Sequence, residues 1–181
     1  MTGVYRSKLY VLTHCGAEWF GCESNDQPHF FRYDAASDTW TELPPPPSAH
    51  QFGMGGFIGG KFHVTGGLSG SDDSRHLDVY DPATNSWSTR APLPRRRWRA
   101  VGVAFKAKLY VIGGYQRNAD GSTSIVRTTS VYDPATNSWT TKAPLPTARA
   151  DIGGSVVWLN GQARLEVVGG TRPGNNLQYI P

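Results

Sequence analysis

The sequence predicts an all-β fold of repeated four-stranded antiparallel meanders, and three observations carry the prediction. The nine-residue phrase VYDPATNSW stands at Val79–Trp87 and again, letter for letter, at Val131–Trp139, and each copy runs into a tail ending Ala-Pro-Leu-Pro. An apolar stretch closed by a glycine doublet recurs at Phe62–Gly67, Leu109–Gly114 and Leu165–Gly170. The 181 residues include 21 glycines and 13 prolines, and Ala/Leu/Glu-rich helical stretches are missing, a composition of short strands and many turns.

The units follow one another with a period near 50 residues, which indicates a propeller or solenoid of β units. Unit one, residues 1–47, has an apolar stretch at Leu9–His14 without the doublet and a degenerate phrase at Phe31–Trp40. Units two and three, 48–94 and 95–146, carry the phrase intact, and Trp40, Trp87 and Trp139 mark the period. Unit four, 147–181, is cut short, because Leu177–Pro181 reads as the start of another phrase.

The third unit shows how each element is justified. A first strand is expected over Ala100–Phe105, and a tight turn at Lys106–Lys108 leads into a second strand over Leu109–Ile112. Gly113 and Gly114 end that strand where the backbone turns or meets a neighbour without a Cβ in the way. After a variable loop comes a third strand near Ile125–Tyr132. Asp133–Asn137 is a turn: Asp bonds its own downstream backbone, proline pre-sets φ, and Asn tolerates a left-handed position. Trp139 opens the fourth strand, and Pro144 and Pro146 close it because proline cannot donate to a ladder. The repeated Tyr and Trp read as packing residues between adjacent sheets.

Gly-Gly, Tyr-Asp-Pro, Trp and the Pro-Leu-Pro tail, occurring in that order over nearly the whole chain, resemble the Kelch repeat family. The resemblance implies that each unit is one blade of a β-propeller. Three complete blades and most of a fourth make an open or partial ring, whereas the resemblance implies six or seven blades more often. An open ring exposes a blade face and strand edges. A longer chain, a four-bladed ring or a second copy would each resolve this, and a fragment of a longer chain is the preferred reading.

The formal charge of +4 is local. Arg95, Arg96, Arg97 and Arg99 supply it, and the remaining cations balance the 14 acidic residues. A single basic loop disfavours nucleic acid, which prefers a broad basic face. No apolar run approaches the ~18 residues of a membrane span, and the N-terminus shows no secretory signal.

Alternation of strand direction places the links between blades and the loops between second and third strands on one face. The resemblance implies that this face binds partners. Ten residues after each tryptophan stand His50, Arg97 and Arg149. Such a rim could hold carboxylate or phosphate groups through bidentate hydrogen bonds, or each residue could bond a neighbouring blade's acid or carbonyl instead. Arg95, Arg96, Trp98 and Arg99 complete the candidate binding set with these three, and Arg97 is set apart for a structural duty. The variable loops Cys15–Pro28, Leu68–Ser74, Tyr115–Ser124 and Thr171–Asn176 are where specificity would sit.

His14, Cys15, Cys22 and His29 lack zinc-site spacing, so no metal or other cofactor is expected. No Gly-x-Ser-x-Gly, paired carboxylates or phosphate-cradling glycine loop stands out. The expected function is therefore a non-catalytic module that binds a protein or an acidic ligand. The alternative, also implied by the resemblance, is part of a propeller enzyme related to sialic-acid mutarotases or copper-radical oxidases. The second of these would need a Tyr–Cys crosslink and axial ligands that cannot be placed here.

Overall fold

The computed structural model describes residues 1–14, 28–69, 72–171 and 177–179. Its strands group by unit. The first unit forms β1 (Thr2–Tyr5), β2 (Lys8–Thr13), β3 (His29–Asp34) and β4 (Thr39–Leu43). The second contains β5 (Met54–Ile58), β6 (Lys61–Thr65), a short ribbon of β7 (Leu68–Ser69) and β8 (Asp72–Asp73), then β9 (Leu77–Asp81) and β10 (Ser86–Arg90). After β11 (Arg97–Trp98) come β12 (Val101–Phe105), β13 (Lys108–Ile112), β14 (Tyr115–Arg117), β15 (Thr123–Ile125), β16 (Thr129–Asp133) and β17 (Ser138–Lys142). The last unit has β18 (Ile152–Leu159), β19 (Gln162–Gly169) and β20 (Leu177–Tyr179).

Three antiparallel blades result, β1-β2-β3-β4, β5-β6-β9-β10 and β12-β13-β16-β17, followed by the three-stranded β18-β19-β20. The expected all-β meanders are therefore present. One strand divides where the sequence suggests continuity: Ile125–Tyr132 splits into β15 and β16. Between them Val126 donates to the Gly114 carbonyl, and the Arg127 and Thr128 carbonyls accept the N–H groups of Leu145 and Gly113. That segment is bonded to the blade's ends and not to its ladder.

The phrase folds as its chemistry dictates. Asp81 and Asp133 accept the N–H groups of Ala83 and Ala135 at 2.9 Å. Asn85 and Asn137 take φ of 50°, and their side-chain oxygens accept the hydroxyls of Tyr80 and Tyr132 at 2.7 and 2.8 Å. The degenerate copy makes the same turn with Asp34 bonded to Ala36 and Tyr33 bonded to Asp38. A lysine at the start of each second strand pairs with the phrase's aspartate: Lys8 with Asp34, Lys61 with Asp81, Lys108 with Asp133.

The core lies between blades. Tyr10, Leu12, Phe30, Phe62, Val64 and Tyr80 fill the first joint. Met54, Leu77, Val79, Leu93, Leu109 and Tyr132 fill the second. Val101, Val103, Phe105, Ile112, Leu145 and Leu165 fill the third. Each such side chain contributes about 1.5–3 kcal/mol when fully buried. The repeated tryptophans reach back one blade: the Trp87 indole N–H donates to the Pro44 carbonyl and that of Trp139 to the Ala91 carbonyl, at 2.7 and 2.8 Å.

Candidate binding face at the blade links

The links and the second-to-third-strand loops share one face, and hydrogen bonds weld them together. Gly67 N–H donates to the Arg97 carbonyl and Gly114 N–H to the Arg149 carbonyl. The link segment β11 pairs with β14, which pairs with β15, so the loop Tyr115–Ser124 and the arginine run form one small sheet.

His50, Arg97 and Arg149 occupy equivalent buried places in this face. The His50 nitrogens lie 2.9 Å from the Gly66 carbonyl and 3.0 Å from the Asp78 carboxylate. Burial pushes the Asp78 carboxyl up, but hydrogen bonds from His50, Ser48 and Thr89 hold it below the ordinary carboxylate range. Arg97, 1% exposed, donates through Nη1 to the carbonyls of Val111 and Thr128 at 3.4 and 3.3 Å. Desolvation pushes its guanidinium down to about 10. Arg149 Nη1 donates to the Gly169 carbonyl at 3.2 Å. All three bond the blade that follows their link.

The same link residues explain the glycine doublets. Gly66 and Gly113 have φ of +65° and +64°, and a Cβ on either would sit 2.5 Å from the carbonyl oxygen of Arg97 or Arg149. Side chain and carbonyl of one arginine therefore clamp two successive blades. The sequence shows both halves of this joint but not that they meet.

Around this clamp the arginine run divides. Arg95 and Arg96 are exposed and line a cleft of about 420 Å3 with Arg75, Arg117, Pro94 and Asn118. Arg75 Nη1 donates to the Pro94 carbonyl at 3.3 Å, which places the loop before β9 against the link. Arg117 Nη1 donates to the Gly121 carbonyl at 3.1 Å. The tip beyond Arg117 is braced from within: Asp120 accepts the N–H and hydroxyl of Ser122, which hold its carboxyl below the usual range.

Trp98 stacks on Tyr115 at 5.7 Å with the Arg117 guanidinium 5.8 Å from its ring. Arg99 turns the other way, 3.0 Å from Asp151 and 4.3 Å from the Phe52 ring centroid. Arg75 and Arg117 were missed in the sequence. Their signal was a cation in or beside a variable loop, but the register that brings them to Arg95 is tertiary.

Cys15 and Cys22, and most of the loops Cys15–Pro28 and Thr171–Asn176, lie outside the described residues. Among the described residues no three His, Cys, Asp or Glu side chains gather as a metal site. No helix is long and apolar enough to cross a membrane.

Four-stranded blades stacked through a tryptophan and a clamping link define a repeat-built partial β-propeller with a loop-bearing face. A family model of the Kelch motif matches residues 55–94 and 96–146, half of the chain, and the chain belongs to the Kelch repeat family. Kelch repeats form propeller-type binding modules that commonly mediate protein interactions and are typically non-catalytic. No match to a curated protein is found.

Proposed function

We propose that the chain is a non-catalytic binding module whose link face takes an acidic protein segment between the second and third blades. The observation that carries this reading is the convergence of Arg75, Arg95, Arg96 and Arg117 on one cleft. Guanidinium groups match carboxylates in planar, bidentate geometry and desolvate more easily than ammonium groups. Trp98 and Tyr115 beside them offer a stacked aromatic platform. His50, Arg97 and Arg149 support the rim by holding links to blades, so the contact itself falls to Arg95 and Arg96 with their two new partners.

Poly-glutamate titrated by calorimetry against the wild type and Arg95→Ala/Arg96→Ala tests this. The double variant should bind at least tenfold more weakly at low salt, with unchanged thermal stability. The difference should vanish near 1 M salt, where the Debye length is about 3 Å. Unaltered affinity at low salt would overturn the assignment.

A further inference from the structure

The opposite face, where the first-to-second-strand and third-to-fourth-strand turns lie, carries a second cleft of about 440 Å3 between the first two blades. Tyr5, Arg6, Lys8 and Arg32 line it from one side, and Lys61 and Asp81 from the other. Lys8 and Lys61 are already paired with Asp34 and Asp81. The lysine–aspartate pair recurs in the third blade, so it belongs to the repeat.

Arg6 and Arg32 do not belong to the repeat. Arg32 lies opposite Tyr10 across β2 and β3. In the next two blades the same register is Val79 opposite His63 and Val131 opposite Tyr110, both valines being buried core. Blade packing therefore calls for a β-branched apolar residue where the first blade has an arginine. Its Nε is buried and without a hydrogen-bond acceptor among the described residues, and Nη2 reaches only the Thr41 hydroxyl at 3.4 Å. The nearby Asp34 carboxylate is bonded to Lys8 and to the Ala36 N–H. Leaving a buried donor unsatisfied is costly, and a bound acceptor would recover that cost.

Arg6 occupies a turn position that is Gly59 in the second blade and Lys106 in the third, and its guanidinium lies 5.2 Å from the Tyr5 ring centroid. Across the cleft the turn is Gly59-Gly60, and a Cβ on Gly60 would come within 2.7 Å of the Tyr5 hydroxyl. Glycine there keeps the mouth open. Neither guanidinium hydrogen-bonds a carboxylate among the described residues, although Asp34 lies close enough to Arg32 to interact through space, and Arg32 keeps an unused buried N–H; both face a cleft walled by a tyrosine.

We propose that this cleft is a binding site for the oxyanion of a small ligand, a carboxylate or a phosphate, held by Arg6 and Arg32. The site is independent of the Arg95 cleft.

The probes are inorganic phosphate and benzoate, titrated by calorimetry at constant ionic strength against the wild type, Arg32→Val, Arg6→Gln and Arg95→Ala/Arg96→Ala. At least one probe should bind saturably, and which one identifies the oxyanion. Arg32→Val restores the residue the other blades use. It should fold with equal or higher thermal stability and lose binding entirely, while Arg6→Gln, at an exposed turn, should bind at least fivefold more weakly. The Arg95/Arg96 variant should bind as the wild type does. Absence of saturable binding by both probes, or binding that survives in a folded Arg32→Val protein, would overturn the proposal.

Discussion

Trp40 and Trp139 stand in the same register of their blades, opposite Tyr33 and Tyr132, with ring centroids 5.1 and 5.3 Å from those tyrosines. Trp139 is half-buried against the second blade and donates to its Ala91 carbonyl. Trp40 is 57% exposed. The two differ in their neighbours, not in their local structure. A repeat phrase specifies its own turn and strand pair by short-range chemistry, but the tryptophan becomes a stabilising contact only where a blade lies behind it.

The largest expected effect tests this directly. Trp139→Ala should destabilise the chain by about 3 kcal/mol in urea unfolding, and Trp40→Ala by less than about 1 kcal/mol. Equal losses would break the comparison.

Next in size is the clamp. Gly113→Ala would force a Cβ against the Arg149 carbonyl as well as strain φ, whereas Gly121, at φ +81°, has nothing within 4 Å. Gly121→Ala should therefore cost about 1 kcal/mol and Gly113→Ala at least twice that, read from thermal midpoints.

A smaller, opposite effect is expected at the hairpins. Lys106 and Ala107 both have positive φ, as do Asn160 and Gly161 in the last unit. Only the latter pair suits a two-residue turn of this hand. Lys106→Asn/Ala107→Gly should raise stability by about 1 kcal/mol.

The smallest concerns pH. Burial, with Arg90 and Lys61 close by, holds His63 below its ordinary value despite its hydrogen bond to the Lys61 carbonyl. Unfolded chains then take up the proton first. His63 thus favours the fold fully above about pH 6.5, and that contribution falls as pH drops below it. His63→Gln should flatten this part of the melting-temperature profile between pH 7.5 and 5.5, and an unchanged slope would assign the dependence elsewhere.

The fold was legible because its signals are local. Asp-Pro-Ala-Thr-Asn encodes a turn from its own side chains, and the Gly-Gly doublets announce a close approach even before the approaching group is known. Arg97 stood out by its spacing from Trp87, and the clamp supplies the reason. The identity of its bonding partners was not legible, since Arg97 meets Gly67 and Thr128 through tertiary register. The cleft was half legible: Arg95 and Arg96 declare themselves by charge, but Arg75 and Arg117 reach them through loop conformations no periodicity encodes. Aligning the phrases already sets Arg32 where the other copies have Val79 and Val131, but that the position is buried core, and that Arg32 meets Arg6 in a cleft there, appears only in the fold.

The innermost strands touch in succession, β1 to β5, β5 to β12 and β12 to β18, and these are the principal sheet-to-sheet contacts. Stability is then a sum of nearest-neighbour couplings along a line. Amide protons of β18 and β19, which meet one neighbouring blade among the described residues, should exchange with solvent faster than those of β6 and β13, which have a blade on each side.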